Sequence, residues 1–241
     1  MLSAQASAAE ATVATAANFA APVEKLSELF KNETGHEIAV VIGSTGQLYA
    51  QITNGAPFDV LLAADQERPK RLADEGQGEA SSLFTYAIGR LALWSSDPDV
   101  IAKDGTSTLR AGDFRHLAIA KPELAPYGAA AQQTLEALGL WDRVQDKIVQ
   151  GENIGQTFQM VATGNAELGF VALSYVLDPG NTTPGSRWDV PVELYAPIRQ
   201  DAILLKHGAS NEAARAWLTF LRSPQALEVI QGFGYGVDRP S

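Results

Sequence analysis

Four turns of the sequence combine neutral hydrogen-bond donors with a place between a predicted strand and a predicted helix. They are Ala17-Asn18, Gly43-Ser44-Thr45-Gly46, Pro126-Tyr127-Gly128 and Asn153-Ile154-Gly155. Their side chains offer amide, hydroxyl and phenol groups, and none of them is charged. A helix N-terminus adds unpaired backbone N–H groups and the positive end of the helix dipole. Together these groups indicate a site for a small anion that is held by many hydrogen bonds.

The lack of a proton acceptor in these turns narrows the choice of anion. A fully ionised tetrahedral dianion such as sulfate, molybdate or tungstate needs only donors, whereas a protonated phosphate would need a carboxylate to accept its hydrogen. Each turn alone has a simpler explanation: Ser44 or Thr45 as a helix cap, Gly128 and Gly155 as turn residues, and Tyr127 as a packed loop aromatic. The anion site is favoured because four such turns occur in one chain.

The spacing of apolar residues predicts the elements that position these turns. We expect strands at 11–16, 37–42, 59–64, 117–120, 147–149 and 168–172. We expect helices at 22–32, 47–54, 67–75, 129–138, 155–162, 211–221 and 224–230. Alternation of strands and helices is typical of parallel βαβ units, in which ligands bind at the carboxyl ends of the strands.

We predict an α/β chain of two lobes, each a mostly parallel sheet flanked by helices. The apolar run at 84–94 is suited to crossing between the lobes, and the chain returns near 194–200. Lobe 1 would comprise 11–86 and 197–241, and lobe 2 would comprise 87–196. Residues 1–10 contain Ala6-Ser7-Ala8, which has the form of a signal-peptidase site. We interpret them as the remnant of a secretory signal or as a disordered leader.

Composition excludes several classes of function. A formal net charge of -10 disfavours nucleic acid and anionic membranes as partners, and the absence of cysteine excludes disulfides and cysteine-based zinc sites. His36, His116 and His207 match no metal-binding spacing, and Asp65 is interpreted as a cap of the following helix. The turns contain no nucleophile or acid–base pair, so we expect neither catalysis nor a cofactor.

Ten short segments also resemble a known family, the periplasmic molybdate-binding proteins that supply ABC importers. The resemblance extends from about residue 12 to 236. It is carried by 14–19 (ATAANF), 43–46 (GSTG), 49–52 (YAQI), 54–57 (NGAP), 63–66 (AADQ), 84–89 (FTYAIG), 125–129 (APYGA), 169–172 (GFVA), 223–226 (SPQA) and 234–236 (GYG).

The resemblance implies the two-lobed periplasmic-binding-protein fold of type 2, with two crossover strands. It implies a site for molybdate or tungstate between the lobes, with molybdenum present only as the bound oxyanion. The expected contacts are Ala17, Asn18, Thr45, Tyr127 and Ile154, supported by Ser44, Gly128, Asn153 and Gly155. It further implies a membrane permease as partner, a monomeric receptor and a periplasmic location.

Three positions depart from the family pattern. Thr45 stands where Ser is frequent, Ala17 offers no hydroxyl, and Ala172 stands where some relatives have a tyrosine. Tyr127 would then supply the phenol from another loop. Two alternatives stay open from the residues themselves: a receptor for sulfate or another tetrahedral oxyanion, and an anion-sensing regulatory domain.

Overall fold

The computed structural model of the chain describes residues 8–101 and 104–238. The predicted leader at 1–10 lies outside the described residues except for its last three, of which Glu10 already begins a strand. The described residues form ten strands: β1 (Glu10–Ala16), β2 (Glu37–Gly43), β3 (Val60–Leu62), β4 (Phe84–Gly89), β5 (Leu91–Ser95), β6 (Leu117–Ala120), β7 (Ile148–Gly151), β8 (Leu168–Ala172), β9 (Ser186–Asp189) and β10 (Ile198–Leu204).

The same residues form ten α-helices, joined in places by short 3₁₀ turns. The helices are α1 (Ala20–Thr34), α2 (Thr45–Thr53), α3 (Glu67–Asp74), α4 (Gly105–Ala111), α5 (Pro126–Ala137), α6 (Trp141–Val144), α7 (Ile154–Ala162), α8 (Leu173–Val176), α9 (Glu212–Phe220) and α10 (Pro224–Gly232). No helix among the described residues is both long enough and apolar enough to span a bilayer.

The strands form two five-stranded sheets with the same plan. The first has the order β2-β1-β3-β10-β4 and the second the order β7-β6-β8-β5-β9. In each sheet three strands pair in parallel, and one strand, β10 or β5, runs against both of its neighbours. Four strands of each sheet therefore point the same way, which confirms the predicted pair of mostly parallel sheets. We call the body around the first sheet lobe 1 and the body around the second lobe 2.

Two short segments connect the lobes. β4 ends at Gly89 in the first sheet and β5 begins at Leu91 in the second, so the apolar run at 84–94 is two strands rather than one. The chain returns after β9, and Pro197 precedes β10 in the first sheet. Sequence periodicity does not mark the break at Arg90, because apolar residues continue on both sides of it.

Aromatic contacts fix helices onto each sheet. In lobe 1, Phe30 of α1 lies edge-on to Trp217 of α9, with ring centroids 5.2 Å apart. In lobe 2, Phe158 of α7 stacks between Trp94 and Tyr175, with ring centroids 4.7 and 4.9 Å away. Burial of large aromatic rings dominates the energetics of such cores. These contacts therefore join α1 to α9 in lobe 1 and hold α7 against β5 in lobe 2.

The structure corrects the predicted starts of two helices at the site: α2 begins at Thr45 rather than at residue 47, and α5 also begins earlier than predicted. Pro126-Tyr127-Gly128 was expected to be a turn before a helix at 129–138, but it is the first turn of α5. Proline is well suited to the first helical position because its fixed φ matches the helix and its missing N–H would have no intrahelical acceptor there. The helix N-terminus is consequently one turn closer to the end of β6 than the apolar spacing indicates.

Candidate functional site

The four turns selected from the sequence surround one small cavity between the lobes. Its volume is about 10 Å³, near the lower limit for holding one water molecule. It is lined by Ala16, Ala17, Asn18, Ser44, Thr45, Ala64, Ala125, Pro126, Tyr127, Asn153 and Ile154. Seven of the nine predicted site residues are in this lining; Gly128 and Gly155 are the two that are not. Larger open grooves lie on the surface: one of about 620 Å³ lies beside α1 and β2, and one of about 500 Å³ shares Ala64 and Pro126 with the wall of this cavity.

Three helices begin at the cavity wall. Thr45 is the first residue of α2, Tyr127 the second of α5 and Ile154 the first of α7. The first N–H groups of a helix have no intrahelical acceptor, and they carry the positive end of the helix dipole. Three helix N-termini, one from lobe 1 and two from lobe 2, therefore supply anion-binding groups to the same cavity.

Local side-chain caps explain why two of these helices begin where they do. Ser44 Oγ accepts a hydrogen bond from Gln47 N, and Gln47 Oε1 accepts one from Ser44 N, which forms a capping box. Asn153 Oδ1 accepts from Gln156 N at 3.0 Å at the start of α7. The simpler interpretation of Ser44 as a helix cap thus holds, Asn153 is a cap as well, and both caps place helix N-termini at the cavity.

Two hydroxyl groups in the wall are prepared to donate. Thr45 Oγ1 accepts from Ala64 N at 2.9 Å, and Tyr127 Oη accepts from Gln200 Nε2 at 3.1 Å. A hydroxyl has one proton to give, and in both cases the protein bond uses a lone pair rather than that proton. Each hydroxyl therefore retains a donor for a ligand oxygen.

The peptide groups of the Ala17-Asn18 turn are oriented by donors from lobe 2. Tyr175 Oη donates to the carbonyl oxygen of Ala17 at 2.5 Å, and Ser174 Oγ donates to that of Asn18 at 2.8 Å. The C=O and N–H of a trans peptide point in opposite directions. Fixing Ala17 O therefore also fixes the direction of the Asn18 N–H, on the side away from Tyr175.

The side chain of Asn18 is used inside the protein. Its Nδ2 donates to Gln200 Oε1 at 2.8 Å and to Tyr235 Oη at 2.9 Å, which accounts for both amide protons. Asn18 Oδ1 is buried and has no partner among the described residues. The donors that Asn18 leaves for a ligand are consequently those of its backbone turn, and its amide joins the turn to β10 and to the C-terminal segment.

The two glycines outside the lining serve close packing. A β-carbon at Gly128 would overlap the carbonyl oxygen of Ala120, so glycine lets the first turn of α5 approach the end of β6. A β-carbon at Gly155 would lie 2.7 Å from Tyr175 Oη, the hydroxyl that anchors Ala17. Both positions therefore support the site indirectly, through the placement of a helix and of a tyrosine.

The wall of the cavity is neutral, and its phenol stays protonated. None of the lining residues carries a formal charge. Burial raises the pKa of Tyr127 well above its usual value, and the neighbouring Tyr235 adds to the effect. Burial likewise raises the pKa of Tyr235 to about 12. Charged pairs lie nearby but outside the lining, as with Lys121 and Glu152. Among residues 8–101 and 104–238, no group of three His, Cys, Asp or Glu residues is arranged to hold a metal ion.

Four residues that surround the site were not singled out from the sequence: Ser174, Tyr175, Gln200 and Tyr235. Gln200 is completely buried in β10, between Arg199 and Asp201 and ahead of the apolar residues that end the strand. A buried amide needs hydrogen-bond partners, and a glutamine in a buried strand is the one signal of this role that the sequence offers. Tyr235 belongs to the 234–236 segment, which supports the family resemblance without indicating a role.

Comparisons with known proteins agree over nearly the whole chain. The family model for bacterial extracellular solute-binding proteins matches residues 11–236. The molybdate-binding protein ModA of Azotobacter vinelandii is 51% identical over 237 residues, covering 98% of this chain and 94% of that protein. ModA of Rhodobacter capsulatus is 47% identical over 230 residues, covering 95% and 89%.

A solved structure agrees with the sequence comparisons. The periplasmic molybdate-binding protein of Azotobacter vinelandii superposes with a TM-score of 0.91 at 39% identity, covering 95% of this chain and all of that one. The match includes both sheets and the segments between them. The chain therefore belongs to the bacterial extracellular solute-binding proteins, in the family of the periplasmic molybdate-binding proteins.

Proposed function

We propose that this chain is an extracytoplasmic receptor that binds molybdate in the interlobe cavity and delivers it to the membrane permease of an ABC importer. The observation that carries the proposal is the composition of the cavity wall: three helix N-termini, an oriented backbone turn and donor hydroxyls, with no charged side chain. Family membership over 11–236 and the close molybdate-binding relatives support the same assignment.

Neutral donors suffice to hold a dianion here. Each hydrogen bond to a charged partner contributes roughly 1.5–3 kcal/mol, and it acts more strongly where water is excluded. The proposed donors are the N–H groups at Asn18, Thr45 and Ile154 and the hydroxyls of Thr45 and Tyr127. Because the formal net charge of the chain is -10, local dipoles rather than the overall field must attract the anion.

The same wall disfavours some competitors. It contains no carboxylate to accept a proton from hydrogen phosphate, so that anion would depend on a weaker neutral acceptor such as Asn18 Oδ1. Tungstate has the shape and charge of molybdate and should bind similarly. Sulfate is also a tetrahedral dianion, and a sulfate receptor is the second candidate. The choice between sulfate and molybdate depends on how well the closed cavity fits the larger anion.

The related transport receptors are not enzymes, and the chemistry of the wall agrees with a binding role. A hydroxyl nucleophile requires an adjacent general base. Thr45 Oγ1 instead accepts from a backbone N–H, and Tyr127 Oη accepts from an amide. We further propose that the mature protein lacks the segment before about residue 10, acts as a monomer and uses no cofactor. An anion-sensing regulatory domain is the remaining alternative.

A panel of oxyanions tests the proposal. Thermal unfolding of the purified chain should be followed with molybdate, tungstate, sulfate and phosphate at equal concentrations, with calorimetry for those that shift the curve. At about one hundred times Kd, molybdate should stabilise the fold by roughly 2.7 kcal/mol. Comparable shifts with all four anions would contradict selectivity for molybdate, and a shift with sulfate alone would establish the second candidate.

The transport role needs a separate test. A bacterial strain that lacks its own molybdate-binding protein should regain molybdate uptake when it produces this chain together with the matching permease and ATPase. Uptake without the chain would show that the importer does not depend on it. Secretion can be checked on the same cells, because a receptor released by osmotic shock is extracytoplasmic.

A further inference from the structure

Gln200 connects the two lobes directly behind the cavity. It lies in β10, the strand by which the chain returns to lobe 1, and its side chain is 0% exposed. Its Oε1 accepts from Asn18 Nδ2 in lobe 1, and its Nε2 donates to Tyr127 Oη in lobe 2. Gln200 itself does not line the cavity.

The bonds to Gln200 determine which way its amide faces. Asn18 Nδ2 and the hydroxyl of Tyr86 both lie within 3.0 Å of Oε1, so this side of the amide must accept. The opposite side, Nε2, must then donate to Tyr127. Tyr127 Oη thus acts as an acceptor toward Gln200, which leaves its proton to point either at a ligand in the cavity or at the neighbouring hydroxyl of Tyr235.

A glycine in the other crossover makes room for this pair. Gly89 is the last residue of β4, immediately before the chain passes to lobe 2. A β-carbon at this position would overlap Tyr127 Oη and would lie 2.6 Å from Gln200 Nε2. The phenol and the amide therefore occupy the space next to the Gly89 backbone, and both crossovers constrain the Tyr127 hydroxyl.

We propose that Gln200 is a positioning residue that holds the Tyr127 hydroxyl with its proton directed at the bound oxyanion. This inference rests on the proposed function. A hydroxyl that rotates freely can direct its lone pairs toward an anion, and the anion repels them. A hydroxyl whose lone pair already accepts a hydrogen bond from Gln200 directs its proton toward the anion instead. Gln200 thereby contributes to the preference for a ligand that only accepts hydrogen bonds, without touching that ligand.

A double-mutant cycle between Gln200 and Tyr127 tests the proposal, with the Kd for molybdate measured by calorimetry. Gln200→Met keeps the length of the side chain and removes the amide. Gln200→Met and Tyr127→Phe should each weaken binding by about tenfold to a hundredfold, the value of one hydrogen bond to a charged group. The Kd of the double variant should be no higher than that of the weaker-binding single variant, because both changes act on the same donor, the Tyr127 hydroxyl.

Gly89→Ala provides a second, independent test, since it displaces the pair without deleting either polar group. It should weaken molybdate binding more in the parent than in the Tyr127→Phe background, where the overlap with the hydroxyl is gone although the close contacts with the ring and with Gln200 Nε2 stay. Gln231→Met, at an exposed glutamine in α10, is the matched control and should leave Kd unchanged. Melting of each ligand-free variant checks folding; if Gln200→Met does not fold, the Gly89→Ala cycle decides alone.

The outcomes separate this inference from the proposed function. If the parent binds molybdate and the effects of Gln200→Met and Tyr127→Phe multiply, or if Gln200→Met binds as well as the parent, Gln200 does not act through Tyr127. If the parent itself does not bind molybdate, the proposed function fails instead. An equal loss of binding for Gly89→Ala in the parent and in the Tyr127→Phe background would likewise overturn the inference.

Discussion

The backbone N–H of Gly46, in the first turn of α2, donates to the carbonyl oxygen of Leu124 at 2.9 Å. Gly46 belongs to lobe 1 and Leu124 to lobe 2, so this bond closes the cleft at the cavity. A β-carbon at Gly46 would lie 3.1 Å from both the Cα and the carbonyl oxygen of Leu124, so Leu124 would have to move by a few tenths of an ångström to admit a side chain. Glycine therefore allows the closest approach of the two lobes at this position.

Gly46→Val should hinder closure without destabilising the separate lobes. Overpacking of this kind costs about 1–3 kcal/mol, which corresponds to roughly tenfold to hundredfold weaker molybdate binding. With saturating molybdate, solution scattering should give a larger radius of gyration for the variant than for the parent. Gly232→Val is the control, since no atom lies within 4 Å of a β-carbon there. Equal radii and equal affinities would show that the lobes need not meet at this point.

Replacements of Thr45 should distinguish its hydroxyl from its methyl group. Thr45→Ser keeps the bond from Ala64 N and should bind molybdate within a few-fold of the parent. Thr45→Val keeps the shape but removes the hydroxyl, so it should weaken binding by roughly tenfold or more. Thr45→Val should also lower the ligand-free melting temperature, because Ala64 N–H loses its acceptor. Calorimetry showing equal affinity for the two variants would remove this hydroxyl from the ligand contacts.

Tyr127→Phe should weaken binding and also destabilise the ligand-free protein. From the sequence alone, Tyr127 in a loop would tolerate Phe with little change in melting temperature. The structure changes this expectation, because Phe leaves the buried Gln200 Nε2 without an acceptor, at a cost of about 1–3 kcal/mol. Thermal unfolding should detect this loss, with the exposed pair Tyr49 and Glu75 giving a control in Tyr49→Phe. An unchanged melting temperature would indicate that the Gln200 amide finds another partner.

Molybdate affinity should be nearly constant between about pH 6 and 9. No residue of the cavity wall ionises in that range, and burial keeps the pKa of Tyr127 far above it. Calorimetry in buffers of different ionisation enthalpy should therefore show little proton uptake or release. A clear change in affinity near pH 6–7 would implicate a histidine outside the wall.

The stability of the fold should fall steeply at alkaline pH, because tyrosine residues ionise more readily in the unfolded chain than in the folded one. The five tyrosines other than the exposed Tyr49 have pKa values raised by burial, among them Tyr235 at about 12, whereas an unfolded tyrosine ionises near pH 10. Above about pH 10 the unfolded chain has lost protons that the folded chain retains, so the free energy of unfolding decreases as pH rises. Absorbance of tyrosinate should appear together with the loss of helical circular dichroism. Gradual ionisation of most tyrosines in the folded state would contradict this burial.

The local features of the site could be read from the sequence. The capping box at Ser44 and the cap at Asn153 are patterns of neighbouring residues, and each fixes the start of a helix within one turn. Strand ends next to these caps follow from apolar spacing in the same way. These hydrogen bonds join residues that are close in sequence, so the types of neighbouring residues and their spacing are sufficient to predict them.

The tertiary structure decided how those features are joined. Asn18 and Gln200 are 182 positions apart, and no local pattern indicates that the amide of one is committed to the other. The break of the chain at Arg90 and the space beside Gly89 depend equally on which sheet each strand enters. The sequence determined that donor-rich helix N-termini exist. Only the packing of the two sheets, connected by both crossovers, determined that these helix N-termini share one cavity and which of their donors remain free. The physical reason is that the contacts between distant residues arise from burial and from the need of buried polar groups for hydrogen-bond partners.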